Sequence, residues 1–328
     1  MFNFPYQKIL VVRLSSLGDI LLTTPIIRSL KNANPKIGIH FLLREEYHNV
    51  LINNPHISKL ITIKRDESVS KTKDILSQNK YDFVIDLQNN LRSRSLTNGL
   101  KCPKFRFKKL SWQKFLLVKF KINKLSEAPP IPERYASEID GLKLDNDGLD
   151  LFTNNKPSIS LVELTNLIGF CPGSRHYIKM WPKDYYIELG KKLIDYGCNI
   201  VLFGGKDDKE ICKEISSSLS NCTNLCNDND ILQTAADMKM CKAIVCNDSG
   251  LMHTACAVKV LVVAIFGSTV KEFGFSPYRS KNLILENKSL TCRPCSHIGR
   301  SSCPKHHFNC MREITPQLVY NSLINFLS

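Results

Sequence analysis

Two polar turns in the second half of the chain have residue types that bind phosphate. The first, residues 247–253 (NDSGLMH), follows a short apolar run and precedes small residues suited to a close-packed helix. This pattern predicts a strand, a tight turn and a helix start, where Asp248 or Ser249 can cap the helix and Gly250 allows close approach. Helix N-termini offer free N–H groups to anions. An ordinary capped turn remains the simpler interpretation of this heptapeptide alone.

The second turn, residues 171–175 (CPGSR), is followed by Lys179 within KMWP. Two such turns in one half of the chain can bind a diphosphate between them. The turns at 204–207 and 267–269 also follow predicted strands, and ligands of open α/β sheets bind beyond the carboxyl ends of strands. Neither the usual dinucleotide-binding glycine pattern nor the P-loop pattern occurs.

Four cysteines near the C-terminus have the spacing of a small zinc loop, namely Cys292, Cys295, Cys303 and Cys310. Three histidines lie nearby in the sequence: His297, His306 and His307. A metal held by four thiolates would be structural, because no coordination position stays open. Free thiols or a disulfide pair are the alternatives. The other nine of the 13 cysteines are scattered through apparent core segments, which indicates a reducing cytosol.

The charge of the chain implies an anionic partner. Its 328 residues carry a formal net charge of +15, with an ordinary hydrophobic content of 43%. Nucleic acid, an acidic membrane surface or a phosphorylated substrate would each suit this excess. We expect no membrane span and no signal peptide, since no long apolar run is present and Met1 to Tyr6 lacks the charged and apolar regions of a leader.

Residues 101–124 concentrate the basic excess, with nine Lys or Arg and no acid among aromatic and leucine residues. A basic, aromatic-rich amphipathic segment suits an anionic membrane surface or a charged lipid head group. A solvated helix face with a normal core side is the alternative, and the two interpretations are close to even on the sequence alone.

Strand-like and helix-like segments alternate along both halves of the chain, which predicts βαβ units and mostly parallel sheets. Predicted strands cover 8–14, 36–43, 59–63, 81–87, 167–171, 199–203, 243–246 and 260–266. Predicted helices cover 20–30, 182–196, 230–240 and 315–327. A polar stretch at 145–157 predicts the interdomain linker. We therefore predict an α/β protein of two doubly wound domains, 1–155 and 156–328, with the option that the final helix packs back on the first.

With these motifs in order, the sequence resembles the ADP-heptose:lipopolysaccharide heptosyltransferases, glycosyltransferase family 9, and most closely the heptosyltransferase II type. The resemblance covers nearly the whole chain. It rests on these motifs: residues 13–20 (RLSSLGDI), 86–93 (DLQNNLRS), 171–174 with 179–182, 203–205 with Asp207 and Glu210, 247–253 and 266–269 (FGST).

The resemblance implies a GT-B architecture, in which two Rossmann-like domains face an interdomain cleft. It implies an N-terminal domain for the acceptor and a C-terminal domain for the nucleotide sugar. The implied reaction is an inverting transfer of heptose from ADP-heptose to the lipid A-core acceptor of the lipopolysaccharide inner core. No cofactor is implied at the reacting centre. The implied location is cytoplasmic and peripheral, on the inner face of the cytoplasmic membrane.

Asp19 matches the family's proposed general base, which takes the proton of the attacking acceptor hydroxyl. The alternative role for this residue is a helix N-cap, for which Asp is among the best residues. A helix N-terminus stabilises the carboxylate and weakens it as a base. A weak base suffices when the proton moves late, after the hydroxyl has become acidic.

Lys179 matches the family's diphosphate lysine, where an ammonium stabilises the charge that develops on departing ADP. Further donor contacts implied by the resemblance are Gly173, Ser174, Glu210 at the ribose, Asp248 near the sugar, and the N–H groups of Ser249, Gly250 and Leu251. Implied acceptor contacts are Ser16, Gly18, Asn89 and Arg92. A surface lysine, an exposed helical glutamate and a surface arginine are the ordinary alternatives for Lys179, Glu210 and Arg92.

Two rival functions are weighed against this assignment. One is a GT-B transferase that uses a different nucleotide sugar. The other is a nucleic-acid-binding protein, suggested by the positive charge and the cysteine cluster. We expect no nucleic-acid partner, because the basic excess is concentrated in residues 101–124 and attachment to an anionic inner-membrane surface explains it better.

Overall fold

The computed structural model describes residues 5–327, which form two compact units. The first unit comprises Met1–Leu110 and Ile131–Phe152, and the second comprises Ser111–Pro130 and Thr153–Ser328. The sequence before Pro5, on which the expectation of no signal peptide partly rests, lies outside the described residues. The prediction assigned residues 111–130 to the N-terminal domain, whereas here they pack with the second unit.

All paired strands run parallel, as the alternation of strand and helix patterns predicted. In chain order the strands are β1 Lys8–Val12, β2 Gly38–Arg44, β3 Lys59–Ile63, β4 Phe83–Asp86, β5 Lys104–Arg106, β6 Leu167–Cys171, β7 Asn199–Leu202, β8 Cys222–Asn224, β9 Ala243–Asn247, β10 Leu261–Phe266 and β11 Asn282–Glu286. Three of these, β5, β8 and β11, were not predicted; β5 and β8 span only three residues each, too few for an apolar pattern to stand out.

The helices connect these strands or cover the sheets. They are α1 Leu17–Leu21, α2 Thr24–Ala33, α3 His48–Leu51, α4 Val69–Ser77, α5 Leu91–Thr97, α6 Ser111–Phe120, α7 Ile131–Ala136, α8 Ile159–Val162, α9 Lys183–Asp195, α10 Lys209–Ser216, α11 Ile231–Met238, α12 Gly250–Ala257, α13 Asn309–Arg312 and α14 Pro316–Leu327. Within residues 5–327, no helix has the length and apolar character needed to cross a bilayer.

The first unit contains a five-stranded sheet in the order β3-β2-β1-β4-β5. Its central strand β1 is apolar and buried at Ile9, Leu10, Val11 and Val12, as expected for a strand covered on both faces. The strand order reverses between β1 and β4, which marks the topological switch point where open α/β sheets bind ligands. The single helix predicted over 20–30 is two helices, and Pro25 lies in the first turn of α2.

The second unit contains a six-stranded sheet in the order β11-β10-β9-β6-β7-β8. Its switch point lies between β6 and β9, which pair in register from Ile168 opposite Ala243 to Cys171 opposite Cys246. The final helix α14 packs against α9 of this same unit, with Val319 and Leu323 fully buried. Both units therefore have the doubly wound α/β architecture that the sequence predicted.

Candidate active site

The carboxyl edge of the second sheet carries a close ion pair between Lys179 and Asp248. The Lys179 Nζ lies 2.6 Å from Asp248 Oδ2, and the two side chains are 15% and 9% exposed. The hydroxyl of Thr269 donates to the same Oδ2 at 2.7 Å. Residues from three of the sequence motifs thus meet at one point, although they are separated by up to 90 positions in the chain.

Asn247, at the end of β9, joins the two turns that flank the switch point. Its side-chain amide donates to the Pro172 carbonyl at 2.8 Å, and its Oδ1 accepts from the Trp181 backbone N–H at 2.9 Å. Asn247 is fully buried. Because a buried amide with both ends bonded is costly to rearrange, Asn247 fixes the 172–175 turn and the Lys179 segment relative to β9.

The helix α12 begins beside this ion pair. Ser249 is its N-cap and has extended backbone, so that Gly250 and Leu251 form the first turn, whose N–H groups have no acceptor within the helix. Among residues 5–327, the buried Ser249 hydroxyl has no hydrogen-bond partner. A helix start with an unused hydroxyl at a topological switch point is a site that an anion fits.

The turn after β6 is closed by a tight approach of Asp208 to Gly173. A Cβ atom on Gly173 would lie 1.9 Å from Asp208 Oδ1, so only glycine fits at this position. The Asp208 carboxylate accepts from the Gly205 N–H at 2.9 Å, and burial raises its pKa. Ser174 follows Gly173 and is half-buried, whereas Glu210 is exposed in the first turn of α10.

The cysteine-rich segment near the C-terminus braces this edge, a role that the sequence analysis did not assign. Arg293 donates to the Thr269 carbonyl at 2.9 Å and pairs with Glu286 at 2.8 Å. The indole N–H of Trp181 donates to the Ile314 carbonyl at 2.8 Å. Residues 286–314 are therefore hydrogen-bonded to both of the loops that carry Thr269 and Lys179.

The four cysteines predicted to bind metal are half-buried or buried free thiols in this structure. No group of three or more His, Cys, Asp or Glu side chains within the described range is placed to hold an ion. Cys292 Sγ lies 3.9 Å from His307 Nε2. Cys310 is buried, which raises the pKa of its thiol to about 12. A structural zinc at Cys292, Cys295, Cys303 and Cys310 stays a prediction.

In the first unit, Asp19 lies in the turn that follows β1. One carboxylate oxygen is 2.6 Å from the Arg13 guanidinium, and the other accepts from the Ser16 N–H at 3.1 Å and the Ser16 hydroxyl at 2.8 Å. Ser16 is the N-cap of α1 and Asp19 the third residue of that helix, so Asp19 is not itself the cap. Burial acts to raise the pKa of Asp19, but Arg13 and Ser16 lower it below its usual value overall.

Arg13 is a functional candidate that the sequence analysis quoted in a motif without giving it a role. Its guanidinium pairs with Asp19 and also donates to the Leu87 carbonyl at 2.7 Å and the Tyr135 hydroxyl at 3.1 Å. It is 9% exposed. The sequence does contain a signal for this role, because Arg13 ends a predicted buried strand. A buried cation needs an acidic partner nearby, and Asp19 follows in the next turn.

The 86–90 turn after β4 borders the Asp19 turn, because β4 and β1 are neighbours. Asn89 donates to the Phe107 carbonyl at 2.8 Å and accepts from Arg94 Nε at 2.8 Å. Both ends of its amide are thus used within the protein. Gly18 is buried in the first turn of α1, and Ser16 is exposed.

Arg92, whose predicted contact with the acceptor stays a prediction, is hydrogen-bonded to a neighbouring loop. Its guanidinium donates to the carbonyls of Lys64, Arg65 and Glu67, which precede α4. Lys109 is a further cation that interacts electrostatically with Asp19, and its pKa is lowered by burial and then by the charge of Arg13.

Comparison with known proteins places this architecture in a family. Residues 69–306 match the model of glycosyltransferase family 9 (heptosyltransferase). The chain is 28% identical to lipopolysaccharide heptosyltransferase 2 of Escherichia coli strain K12, over 97% of each chain. It superposes on the structure of E. coli ADP-heptose lps heptosyltransferase II with a TM-score of 0.74 and 26% identity, covering 98% of each chain.

A further similar structure is E. coli heptosyltransferase WaaC with ADP-2-deoxy-2-fluoro heptose, at a TM-score of 0.72 and 19% identity, covering 97% of this chain and 99% of that one. These neighbours confirm the GT-B fold predicted from the sequence. Since the family model spans well over half of the chain, the protein is a glycosyltransferase that belongs to glycosyltransferase family 9, the heptosyltransferase family.

Proposed function

We propose that this chain transfers heptose from ADP-heptose to the inner core of lipopolysaccharide, with inversion at the anomeric carbon. The relatives named above are lipopolysaccharide heptosyltransferases, and one solved neighbour carries an ADP-heptose analogue. The observation that carries the proposal is the joining of Lys179, Asp248 and Thr269 at the switch point of the second sheet. An anion site at this position can hold the diphosphate of a nucleotide sugar.

In the donor half-site we assign the diphosphate to Lys179 and the start of α12. The developing charge on ADP would be met by the Lys179 ammonium and the N–H groups of Ser249, Gly250 and Leu251. Asp248 holds Lys179 at 2.6 Å before substrate arrives, so the ammonium is already positioned. Ser174 and the backbone at Gly173 would donate to phosphate oxygens. Glu210 would accept from the ribose hydroxyls.

In the acceptor half-site we assign the general base to Asp19. The acceptor hydroxyl attacks the anomeric carbon, its proton passes to the Asp19 carboxylate, and the bond from that carbon to the ADP oxygen breaks. The pairing of Asp19 with Arg13 makes it a weak base, which suits a proton that moves late. Ser16, Gly18 and Asn89 lie on the turns that would border the acceptor, and Arg92 and Lys109 are the cations proposed to meet an anionic acceptor group.

Asp19→Asn tests the assignment of the base. We expect turnover to fall by about 100-fold or more, while the affinity for ADP-heptose changes little. Transfer to an inner-core acceptor is measured in single-turnover assays, and donor affinity by isothermal titration. Ser70→Ala, at an exposed helix start of the same unit, is the control and keeps full activity. Retained turnover in Asp19→Asn refutes the assignment.

Titration of the unmodified chain with ADP-heptose, UDP-sugars and GDP-sugars tests the donor. We expect measurable binding of the ADP-sugar only. Tighter binding of a UDP- or GDP-sugar would favour the alternative of a related transferase with another donor. We further propose that the enzyme acts peripherally on the inner face of the cytoplasmic membrane, because the proposed acceptor is a lipid.

A further inference from the structure

The helix α6 presents an exposed aromatic face. Trp112, Phe115 and Phe120 are 66%, 47% and 57% exposed, and Ile122 just beyond the helix is 47% exposed. The Trp112 and Phe115 rings stack with centroids 5.4 Å apart, and Phe115 meets Phe120 edge-on at 5.9 Å. The four side chains, which we call the α6 patch, therefore form one apolar surface rather than scattered exposed residues.

The opposite side of α6 is fixed to the second unit. Leu117 is 6% exposed, and the Lys114 ammonium lies 5.6 Å from the centroid of the Phe275 ring. At the end of the helix, Lys121 donates to the Cys292 carbonyl at 3.0 Å and the Pro294 carbonyl at 2.6 Å. Lys114 and Leu117 lie on one side of α6 at a spacing of three residues, and Lys121 directly follows the helix, so this side is anchored and the α6 patch lies on the other.

Along the chain, the charged residues that flank the α6 patch have one sign. The sequence contains no Asp or Glu between Asp86 and Glu127. Lys119 and Lys124 are exposed, and Lys119 lies one turn after Phe115 on the same side of the helix. Exposed aromatic side chains flanked by lysines match the interface of a bilayer that contains anionic lipid, where rings enter at the head-group level and each cation adds roughly fivefold to binding.

We propose that the α6 patch is the surface by which this protein docks on an anionic bilayer, with Trp112, Phe115 and Phe120 inserted at the lipid head groups. The proposal deepens the peripheral location stated above and rests on the proposed function for its choice of a lipid occupant. A second copy of the chain fits less well, because two copies of this face would bring lysines against lysines with no acid to pair with them.

Trp112 is a natural probe, because the other tryptophan, Trp181, is fully buried. The intact chain is mixed with vesicles of phosphatidylcholine alone or with added phosphatidylglycerol. We expect a blue shift of tryptophan emission and quenching by brominated lipid only with the anionic vesicles. An unshifted spectrum, with no co-sedimentation on anionic vesicles, overturns the proposal.

Two sets of variants separate the aromatic and charge contributions. The triple change Trp112→Gln, Phe115→Gln and Phe120→Gln is expected to weaken vesicle binding roughly tenfold or more. Lys119→Gln with Lys124→Gln is expected to weaken it roughly twentyfold at low salt, with a smaller effect at high salt. The control is Ile159→Gln with Val162→Gln, which removes side chains that are 91% and 61% exposed on α8 and leaves vesicle binding unchanged. Thermal melts show that each variant folds.

Two further readouts decide between this surface and other roles. If the triple variant binds anionic vesicles as tightly as the unmodified chain, or if it abolishes a dimer of a chain that binds no vesicles, the α6 patch is not a membrane surface. Transfer to an acceptor stripped of its lipid chains should survive in the triple variant. Vesicle binding without any heptosyl transfer would leave the docking surface standing and refute the proposed function instead.

Discussion

The Lys179 ammonium and the Asp248 carboxylate lie 2.6 Å apart, in a pair that is less than one-fifth exposed. The Thr269 hydroxyl also donates a hydrogen bond to the Asp248 carboxylate. The pair joins a segment that follows β6 to the end of β9, so the cation is positioned by the fold before any substrate binds. Prearranged charge of this kind stabilises a developing anion without reorganisation during the reaction.

Replacement of Lys179 should weaken donor binding as well as slow turnover. For Lys179→Ala we expect roughly tenfold to hundredfold weaker binding of ADP-heptose, since a charge-assisted contact contributes about 1.5–3 kcal/mol. Isothermal titration and steady-state kinetics measure both effects. Lys183→Gln is the control, because it removes a half-exposed lysine at the start of the nearby α9, where it pairs with Glu214 of α10. Unchanged donor affinity in Lys179→Ala would show that Lys179 does not bind the diphosphate.

Replacement of Gly173 should disturb the donor site through Asp208. A methyl group at this position would lie 1.9 Å from Asp208 Oδ1, so the carboxylate must move and release the Gly205 N–H. We expect Gly173→Ala to cost about 1–3 kcal/mol of stability and to weaken ADP binding. Gly99→Ala, where a Cβ meets no atom within 4 Å, is the matched control and should be neutral. Equal behaviour of the two variants would contradict the close approach.

The pH dependence of transfer should show no acid limb from Asp19 near neutrality. Burial acts to raise its pKa, but Arg13 and Ser16 lower it below its usual value overall, so the carboxylate is ionised throughout the neutral range. The profile of kcat/KM for the acceptor reports this group in the free enzyme. Arg13→Gln should move the limb upward, and Arg13→Lys less. A limb near pH 6 in the unmodified enzyme would argue against Asp19 as the base.

His40 should make the stability of the first unit fall in mild acid. Burial, with the charges of Lys8 and Lys59, lowers its pKa to about 4, and its Nδ1 lies 3.0 Å from the Tyr81 hydroxyl oxygen. The unfolded chain, with a histidine pKa of about 6.5, binds the extra proton between these values. The free energy of unfolding should therefore drop by up to about 1.4 kcal/mol per pH unit from pH 6 to pH 4.

Urea denaturation at a series of pH values measures this slope. His40→Gln keeps a neutral hydrogen-bonding side chain and should remove that part of the slope, because glutamine does not titrate. His48→Gln, which alters a half-buried histidine of the same unit, is the control and should leave the slope as it is. A slope that persists in His40→Gln would assign the pH dependence to other groups.

The predicted structural zinc can be measured directly. Elemental analysis of the purified chain should give about one zinc per molecule if the four cysteines bind metal. Cys295→Ser and Cys303→Ser should then lose the metal, whereas Cys102→Ser, in the first unit, should keep it. An absence of zinc in chain purified without chelators would leave the cysteines as free thiols, as in the arrangement described here.

Much of the fold followed from apolar periodicity. Long buried strands such as β6 and β10 are continuous apolar runs, and their bounds were predicted to within a residue. Short edge strands such as β8 carry too little apolar pattern to be recognised. The packing of α6 with the second unit could not be predicted from the sequence. It depends on hydrogen bonds from Lys121 to the carbonyls of Cys292 and Pro294, about 170 residues away.

The candidate site divides in the same way. The sequence by itself determined which turns carry Lys179, Asp248 and Asp19. Glycine, acidic and hydroxyl residues that follow an apolar run indicate a turn after a strand, and this pattern depends only on neighbouring residues. Only the tertiary structure decided that Lys179 pairs with Asp248, that Arg13 restrains Asp19, and that Arg92 is bonded to a loop instead of lying open. The physical reason is that parallel strands bring turns from distant parts of the chain to one edge of the sheet. Residues that pair across this edge have no characteristic separation in the sequence, so their pairing cannot be recognised there.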